Sequence, residues 1–201
     1  MLKRGFDLLV AGIGLAVFAP IALVIAAAIK LQDGGAVVFS QERVGRDGVV
    51  FRVYKFRTMI PDAERATGAV QATEGDPRIT RVGRVLRATA FDELPQLWNI
   101  LRGDMSIVGP RPLRPGEADT TADGRLLPLA AIPGYEARHR VRPGLTGLAQ
   151  VYAPRDLPRT DKFRYDLLYQ RRAGFCLDLR LIGQSFWITL RGGWERRGRK
   201  L

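Results

Sequence analysis

The 201-residue chain contains one cysteine, Cys176, and one histidine, His139. A single thiol excludes an internal disulfide framework and a cysteine-rich zinc site. A single imidazole excludes a histidine-based metal cluster. Aromatic residues are sparse at 8%, and no internal repeat or low-complexity tract is present. Acidic residues are in deficit: 20 Asp plus Glu face 32 Lys plus Arg, a formal charge of +12 and a pI near 10.8. That surplus implies anionic partners, whether nucleic acid, phosphorylated substrates or an acidic membrane face. With 46% apolar residues the chain is neither a disordered tail nor a collagen-like fibre. Its length suits one large domain. Chemistry must therefore run on carboxylates, Arg, Lys and a hard metal held by carboxylates.

Residues 8–29 hold 22 positions without a charged or strongly polar side chain. At helical rise they extend roughly 33 Å, about the thickness of a bilayer's hydrocarbon core. Lys3 and Arg4 precede the run and Lys30 follows it. The run exceeds the roughly 7–15 apolar residues of a signal peptide, so a membrane segment is expected. Pro20 lies past its midpoint, removes one backbone hydrogen bond and predicts a break or kink. The positive-inside rule puts Lys3 and Arg4 on the cytoplasmic side, and the basic chain after the segment also belongs there. A re-entrant hairpin bent at Pro20 satisfies both blocks of charge and is favoured over a single span.

After Asp33 a mixed, soluble-looking composition predicts a cytoplasmic-face domain over residues 34–201, with residues 1–33 forming the membrane unit. Residues 37–39 and 49–54 read as a short β-hairpin. Residues 79–87 read as an amphipathic helix with Arg78, Arg81, Arg84 and Arg87 along one side. A second helix is expected over 93–101 with Asp92 at its N-terminus, and further helices over 161–172 and 176–191. Residues 103–115 and 143–147 read as loops punctuated by Gly and Pro, and 116–131 as a weakly patterned insert. The basic tail of Arg196, Arg197, Arg199 and Lys200 beside aromatic residues fits either a membrane-surface element or a solvated end. The fold class is thus α/β mixed and mainly helical.

Two features carry chemistry. Asp92-Glu93 follows the arginine stripe and opens a helix, where unsatisfied N–H groups favour phosphate. Gly109-Pro110-Arg111-Pro112 cages one arginine between two prolines, which suits rigid bidentate phosphate binding. Gln41, Arg43, Lys55 and Arg57 alternate with aromatics on the strand pair, a pattern shared by single-strand nucleic-acid platforms and plain solvated faces. His139, among arginines, reads as a surface or phosphate-side residue, and Cys176 as core.

Further motifs follow in order: Lys3-Arg4-Gly5-Phe6-Asp7, Phe39-Ser40-Gln41-Glu42-Arg43-Val44-Gly45, Tyr54-Lys55-Phe56-Arg57-Thr58-Met59, and Asp76-Pro77-Arg78-Ile79-Thr80-Arg81-Val82-Gly83. After them come Asp92-Glu93-Leu94-Pro95-Gln96-Leu97-Trp98-Asn99, Gly103-Asp104-Met105-Ser106, Arg142-Pro143-Gly144-Leu145-Thr146-Gly147, and the spaced Asp166, Tyr169 and Asp178. With Asp92-Glu93 and the caged Arg111, the series resembles the bacterial sugar transferases of the small monotopic phosphoglycosyl transferase family. The resemblance implies transfer of a sugar-1-phosphate from a nucleoside diphosphate sugar, of the UDP class, to polyprenyl phosphate, the first membrane step of glycoconjugate assembly. It implies a ping-pong reaction with Asp92 as nucleophile and Glu93 as its catalytic partner. Mg²⁺ would sit on Asp92 and Glu93. Arg111, Arg87, Lys55, Arg57, Gln41 and Arg142 would bind substrate phosphates, with Asp166 and Arg43 in support. Implied partners are the nucleotide sugar, polyprenyl phosphate and membrane lipids, with no nucleic acid and with room for a homodimer. The implied location is monotopic, on the cytoplasmic face of the bacterial inner membrane.

The sequence departs from the family pattern in places. Ala19 precedes Pro20 where a Ser is common, and Ala90-Phe91 replaces Ser-Leu before Asp92. Leu148 and Tyr152-Ala153-Pro154 replace a Trp and an Asn-Gly pair, which bears on sugar preference rather than catalysis. A non-catalytic scaffold for cell-envelope enzymes is the rival reading, against which the retained Asp92 weighs.

Overall fold

The computed structural model describes residues 2–63, 75–120, 125–154, 157–192 and 194. The basic tail at 196–200 and part of the 116–131 insert lie outside the described residues.

The apolar run folds into α1 (Leu2–Asp33), the one described helix long and apolar enough to cross a membrane. α1 is one continuous helix through Pro20, with no non-helical residue between its halves. Proline removes only one backbone bond there, and both halves are held against the same domain. Asp7, Ala11, Gly14, Phe18, Ala22, Ile25 and Ile29 recur at helical spacing and form the docked stripe. The Asp7 carboxylate, 2% exposed, accepts from the Ser106 hydroxyl at 2.9 Å and the Ile107 N–H at 3.0 Å. Lys3 pairs with Asp178 at 2.5 Å, and Arg4 donates to the Ile100 and Leu101 carbonyls. At the other end, Asp33 pairs with Arg57, and the Gln32 side chain accepts from the Val82 N–H at 3.2 Å. Leu9, Ile13, Val17, Leu23 and Val24 remain exposed on the opposite face.

The strand pair β1 (Val38–Val44) and β2 (Val50–Phe56) is antiparallel, with Gln41 opposite Val53 and Phe39 opposite Lys55. Each strand is longer than the alternation predicted. Beyond them α2 (Arg81–Thr89) starts at Thr80, whose hydroxyl accepts from the Gly83 N–H. α3 (Gln96–Arg102) begins after Pro95, which has no N–H to leave unsatisfied. Asp92 is therefore not the cap of a long helix; it sits in a 3-10 turn, Phe91–Glu93, between α2 and α3.

Both predicted Gly-Pro loops contain a strand. β3 (Ser106–Val108) pairs in parallel with a later strand, β6 (Gly144–Thr146), while β4 (Ala118–Thr120) and β5 (Leu126–Pro128) form a small antiparallel pair between them. The crossing is tight: a Cβ on Gly144 would lie 2.0 Å from the Gly109 nitrogen. α4 (Tyr135–Arg138), α5 (Leu148–Tyr152), α6 (Arg159–Arg172) and α7 (Phe175–Leu190) complete the described elements. The core gathers Ile100, Met105, Val108, Val151, Leu181 and Ile188 beneath α1.

Two expectations are corrected. Cys176 is exposed rather than core, because α7 buries Asp178, Leu181 and Ile188 instead. His139 is buried rather than at the surface. Its Nε2 faces Arg138 Nη1 at 3.1 Å, and an arginine only donates, so Nε2 accepts and Nδ1–H donates to the Tyr135 carbonyl at 2.7 Å. Burial and the Arg138 charge, opposed by the Tyr135 bond, push its pKa down to about 4. A histidine kept neutral this way stabilises the fold fully above its unfolded pKa of about 6.5, and that stability is lost as pH falls toward 4. Thermal unfolding at stepped pH should show the decline, and His139→Gln, which still accepts from Arg138, should flatten it. Equal slopes in the two proteins would refute the assignment.

Candidate active site

A cleft of about 1380 Å³ opens between the β1–β2 pair, the Asp92 turn, the Arg111 loop and α1. It is larger than the roughly 300–1,000 Å³ of an ordinary small-molecule pocket. Asp92, Glu93, Arg87, Arg111, Lys55, Gln41, Arg43 and Arg57 all line it. The antiparallel register explains the strand contribution: Gln41, Arg43 and Lys55 project from one face.

Asp92 enters the cleft because Ala90 takes the left-handed conformation, φ 58°, and turns the chain off the end of α2. That costs a residue with a Cβ on the order of 1–2 kcal/mol. Such strain is commonly found beside functional groups.

The two carboxylates have opposite electrostatics. Glu93 Oε1 accepts from Lys55 Nζ and from Arg111 Nη2, the latter at 3.2 Å. Burial alone would raise its pKa, but the Lys55 and Arg111 charges outweigh burial and hold it down at about 2. Asp92 is pushed up to about 6, chiefly by burial; Lys55, Arg87 and Arg111 pull against that and the Glu93 charge adds to it. Arg111 is raised chiefly by the Glu93 charge. Glu93 is thus a fixed anion within a cationic cluster, while Asp92 is the more basic carboxylate.

Arg111 is held from behind. Its carbonyl accepts from Arg138 Nη2 at 2.7 Å, and the Pro112 carbonyl accepts from Arg43 Nη1 at 3.2 Å. Arg43 also donates to Gln41 Oε1 at 2.7 Å. Burial and the Arg111 and Arg114 charges bring Arg43 down to about 10. Asp166 lies on the far wall, in an ion pair with Arg138 at 2.9 Å. Arg57 occupies the lobe near the end of α1, joined to Asp33.

One expected residue is not brought to the cleft. Arg142 bonds the Gly103 carbonyl through Nε at 2.8 Å and does not line the cavity, because its loop turns toward the end of α3. Pro20 is exposed on α1, away from the cleft lining. Sequence reasoning missed Arg138, hidden in an arginine-rich stretch, and Asp33, which reads as a helix-ending residue. Among the described residues no group of three or more His, Cys, Asp or Glu forms a metal cage.

The family model described as bacterial sugar transferase matches residues 1–192. The undecaprenyl-phosphate glucose phosphotransferase of Komagataeibacter xylinus is 45% identical over 185 residues, covering 90% of this chain and 34% of that protein. The UDP-N-acetylgalactosamine-undecaprenyl-phosphate N-acetylgalactosaminephosphotransferase of Aeromonas hydrophila is 42% identical over 194 residues, 95% of this chain and 44% of the other. The exopolysaccharide production protein PSS of Rhizobium leguminosarum bv. phaseoli is 42% identical over 187 residues, 90% and 92% of the two chains. The chain spans less than half the length of the first two and nearly all of the third. With 192 residues matched in one continuous stretch, it belongs to the bacterial sugar transferase family.

Proposed function

We propose that this chain transfers a sugar-1-phosphate from a UDP-class nucleotide sugar to a polyprenyl phosphate at the cytoplasmic face of the bacterial inner membrane. The observation that carries the reading is the geometry of the cleft: Asp92 and Glu93 line it together with Arg87, Lys55 and Arg111, and Glu93 is tied to Lys55 and Arg111. The names of the Komagataeibacter and Aeromonas relatives support the acceptor class, and their different sugars leave the donor to be read from a panel.

The reaction runs in two displacements. An Asp92 carboxylate oxygen attacks the sugar-bearing phosphorus, the bond to the nucleoside monophosphate oxygen breaks, and the monophosphate leaves with that electron pair. A phosphate oxygen of the polyprenyl phosphate then attacks the phospho-aspartyl phosphorus and expels the Asp92 carboxylate. Carboxylates are weak nucleophiles toward an anionic phosphorus, so Arg111, Arg87 and Lys55 neutralise the developing charge. Mg²⁺ fits the donor set: the Lys55 and Arg111 contacts of Glu93 both fall on Oε1, so Oε2 takes part in neither. Magnesium is usually held by one or two carboxylates plus substrate phosphate oxygens. Asp92 and Glu93 would hold it, and it would supply further neutralisation of the diphosphate.

The placement of α1 supports a re-entrant, monotopic topology. Lys3, Arg4 and Asp7 at one end and Gln32 and Asp33 at the other all bond the same domain. A helix with both ends bound to one domain keeps both ends on one side of the bilayer.

Incubation of the detergent-solubilised protein with a panel of UDP-sugars, Mg²⁺ and polyprenyl phosphate should release UMP from at least one donor. Asp92→Asn should abolish that release, and normal turnover by this variant would remove the nucleophile assignment. For topology, Gln32→Cys in a Cys176→Ser background should resist a membrane-impermeant maleimide added to intact cells. Labelling from outside would overturn the re-entrant reading.

A further inference from the structure

Arg111 is the cation of the cleft whose aim depends most on its backbone. Its side chain is about half exposed, at 47%, and crosses to Glu93 from a loop between two prolines. The rings fix φ at Pro110 and Pro112. Pro112 also confines ψ of Arg111, so the torsions that still turn the Arg111 Cα–Cβ bond are ψ of Pro110 and φ of Arg111, and the Arg111 carbonyl turns with them. That carbonyl is the acceptor for Arg138 Nη2 at 2.7 Å.

Arg138 is 2% exposed and each of its three guanidinium nitrogens has a partner. Nε donates to Asp166 Oδ2 at 2.9 Å, Nη2 lies 2.9 Å from the same carboxylate oxygen, and Nη1 donates to His139 Nε2 at 3.1 Å. Its guanidinium lies over the Phe163 ring, 4.7 Å from the centroid. Phe163, Asp166 and Tyr169 form the buried side of α6 at three-residue spacing. Tyr169, whose hydroxyl donates to Asp178 Oδ1 at 2.8 Å, lies beside the same strand–loop unit one step earlier, 3.2 Å from the Val108 carbonyl. An arginine with its nitrogens committed in this way has little left to offer a substrate.

We infer that Arg138, locked by Asp166, is a positioning residue that sets the aim of Arg111 through the Arg111 carbonyl and does not itself bind phosphate. The inference rests on the proposed reading of Arg111 as a phosphate-binding group. Losing Arg138 leaves the Arg111 side chain present but its backbone less restrained about ψ of Pro110 and φ of Arg111, so the phosphate contact weakens although the guanidinium remains.

A double-mutant cycle separates this role from direct binding and from general structural support. Inorganic pyrophosphate is the probe for affinity, measured by calorimetry on the full chain in detergent, and UMP release gives kcat and KM in parallel. Arg138→Met should weaken pyrophosphate binding tenfold or more and lower kcat tenfold or more. In an Arg111→Ala background the same change should alter both by less than twofold. Arg138→Lys, which keeps one donor near the carbonyl, should recover part of the loss. If Arg138→Met fails to fold, Asp166→Asn takes its place in the cycle, because it keeps the shape and removes the charge that fixes Arg138. Additive losses would overturn the inference by showing that Arg138 binds the anion directly or merely supports the fold. Absence of UMP release from the unmutated chain, with the pyrophosphate cycle still non-additive, would overturn the transferase reading and leave the coupling standing.

Discussion

A carboxylate beside another carboxylate is useful as a nucleophile only if its neighbour's charge is cancelled. Glu93 meets that condition through Lys55 on β2 and Arg111 on the loop after β3, two elements far apart in sequence. Each of those elements must be fixed for the cluster to persist. β2 is fixed by its seven-residue pairing with β1, and the loop by the β3–β6 crossing at Gly109 and Gly144. The strained turn at Ala90 then brings Asp92 to the same place. Much of the chain after α1 can be understood as support for this one ion cluster. Its electrostatic consequence is Glu93 held near 2; Asp92 is raised chiefly by burial, which the same cations oppose.

The long apolar helix belongs to the same architecture. Asp7 satisfies Ser106 and Ile107 at the start of β3, the strand that leads directly to Gly109-Pro110-Arg111. A buried carboxylate without partners costs several kcal/mol, so this contact fixes the helix register against the domain. Phe18 lies against Phe91, the residue before Asp92. A helix that was only a tether would need none of these contacts. The helix forms one wall of the cleft, through Val10, Gly14 and Phe18. In the proposed topology that wall puts the site at the depth where a lipid phosphate resides.

Period and composition made the elements legible in the sequence, but their partners were less so. The apolar run, the hairpin, the α2 stripe and the carboxylate pair follow from local pattern, and seven of the eight residues expected to meet phosphate or carry the reaction do converge. Arg142 was misplaced because a Gly-Pro loop shows where the chain turns and not which way an arginine points. Asp92 was expected at a helix start because acidic residues prefer that position. The left-handed Ala90 is invisible to propensity, since an alanine there is favoured only by the tertiary contacts around it. The continuity of α1 through Pro20 has the same origin: contacts on both halves outweigh one missing bond. His139 was read as exposed from its arginine neighbours, one of which is itself buried in an ion pair with Asp166.

The basic composition also requires a division that net charge cannot make. Several of the described arginines act as donors to main-chain carbonyls: Arg4 to Ile100 and Leu101, Arg43 to Pro112, Arg78 to Ala63, Arg138 to Arg111, and Arg142 to Gly103. Arg4 and Arg142 meet at the C-terminal end of α3, where carbonyls lack helical partners and the helix dipole favours positive charge. A guanidinium suits this work because its planar fork supplies several donors at fixed angles and stays charged when partly buried. Part of the surplus therefore closes the fold, and a smaller set, Arg87 and Arg111 with Lys55, lines the cleft and is the set that the proposed reaction assigns to the substrate phosphates. Lysine substituted at the first group loses geometry; at the second it keeps much of the charge. The chemistry asked of an arginine, and not its count, decides which partner the surplus serves.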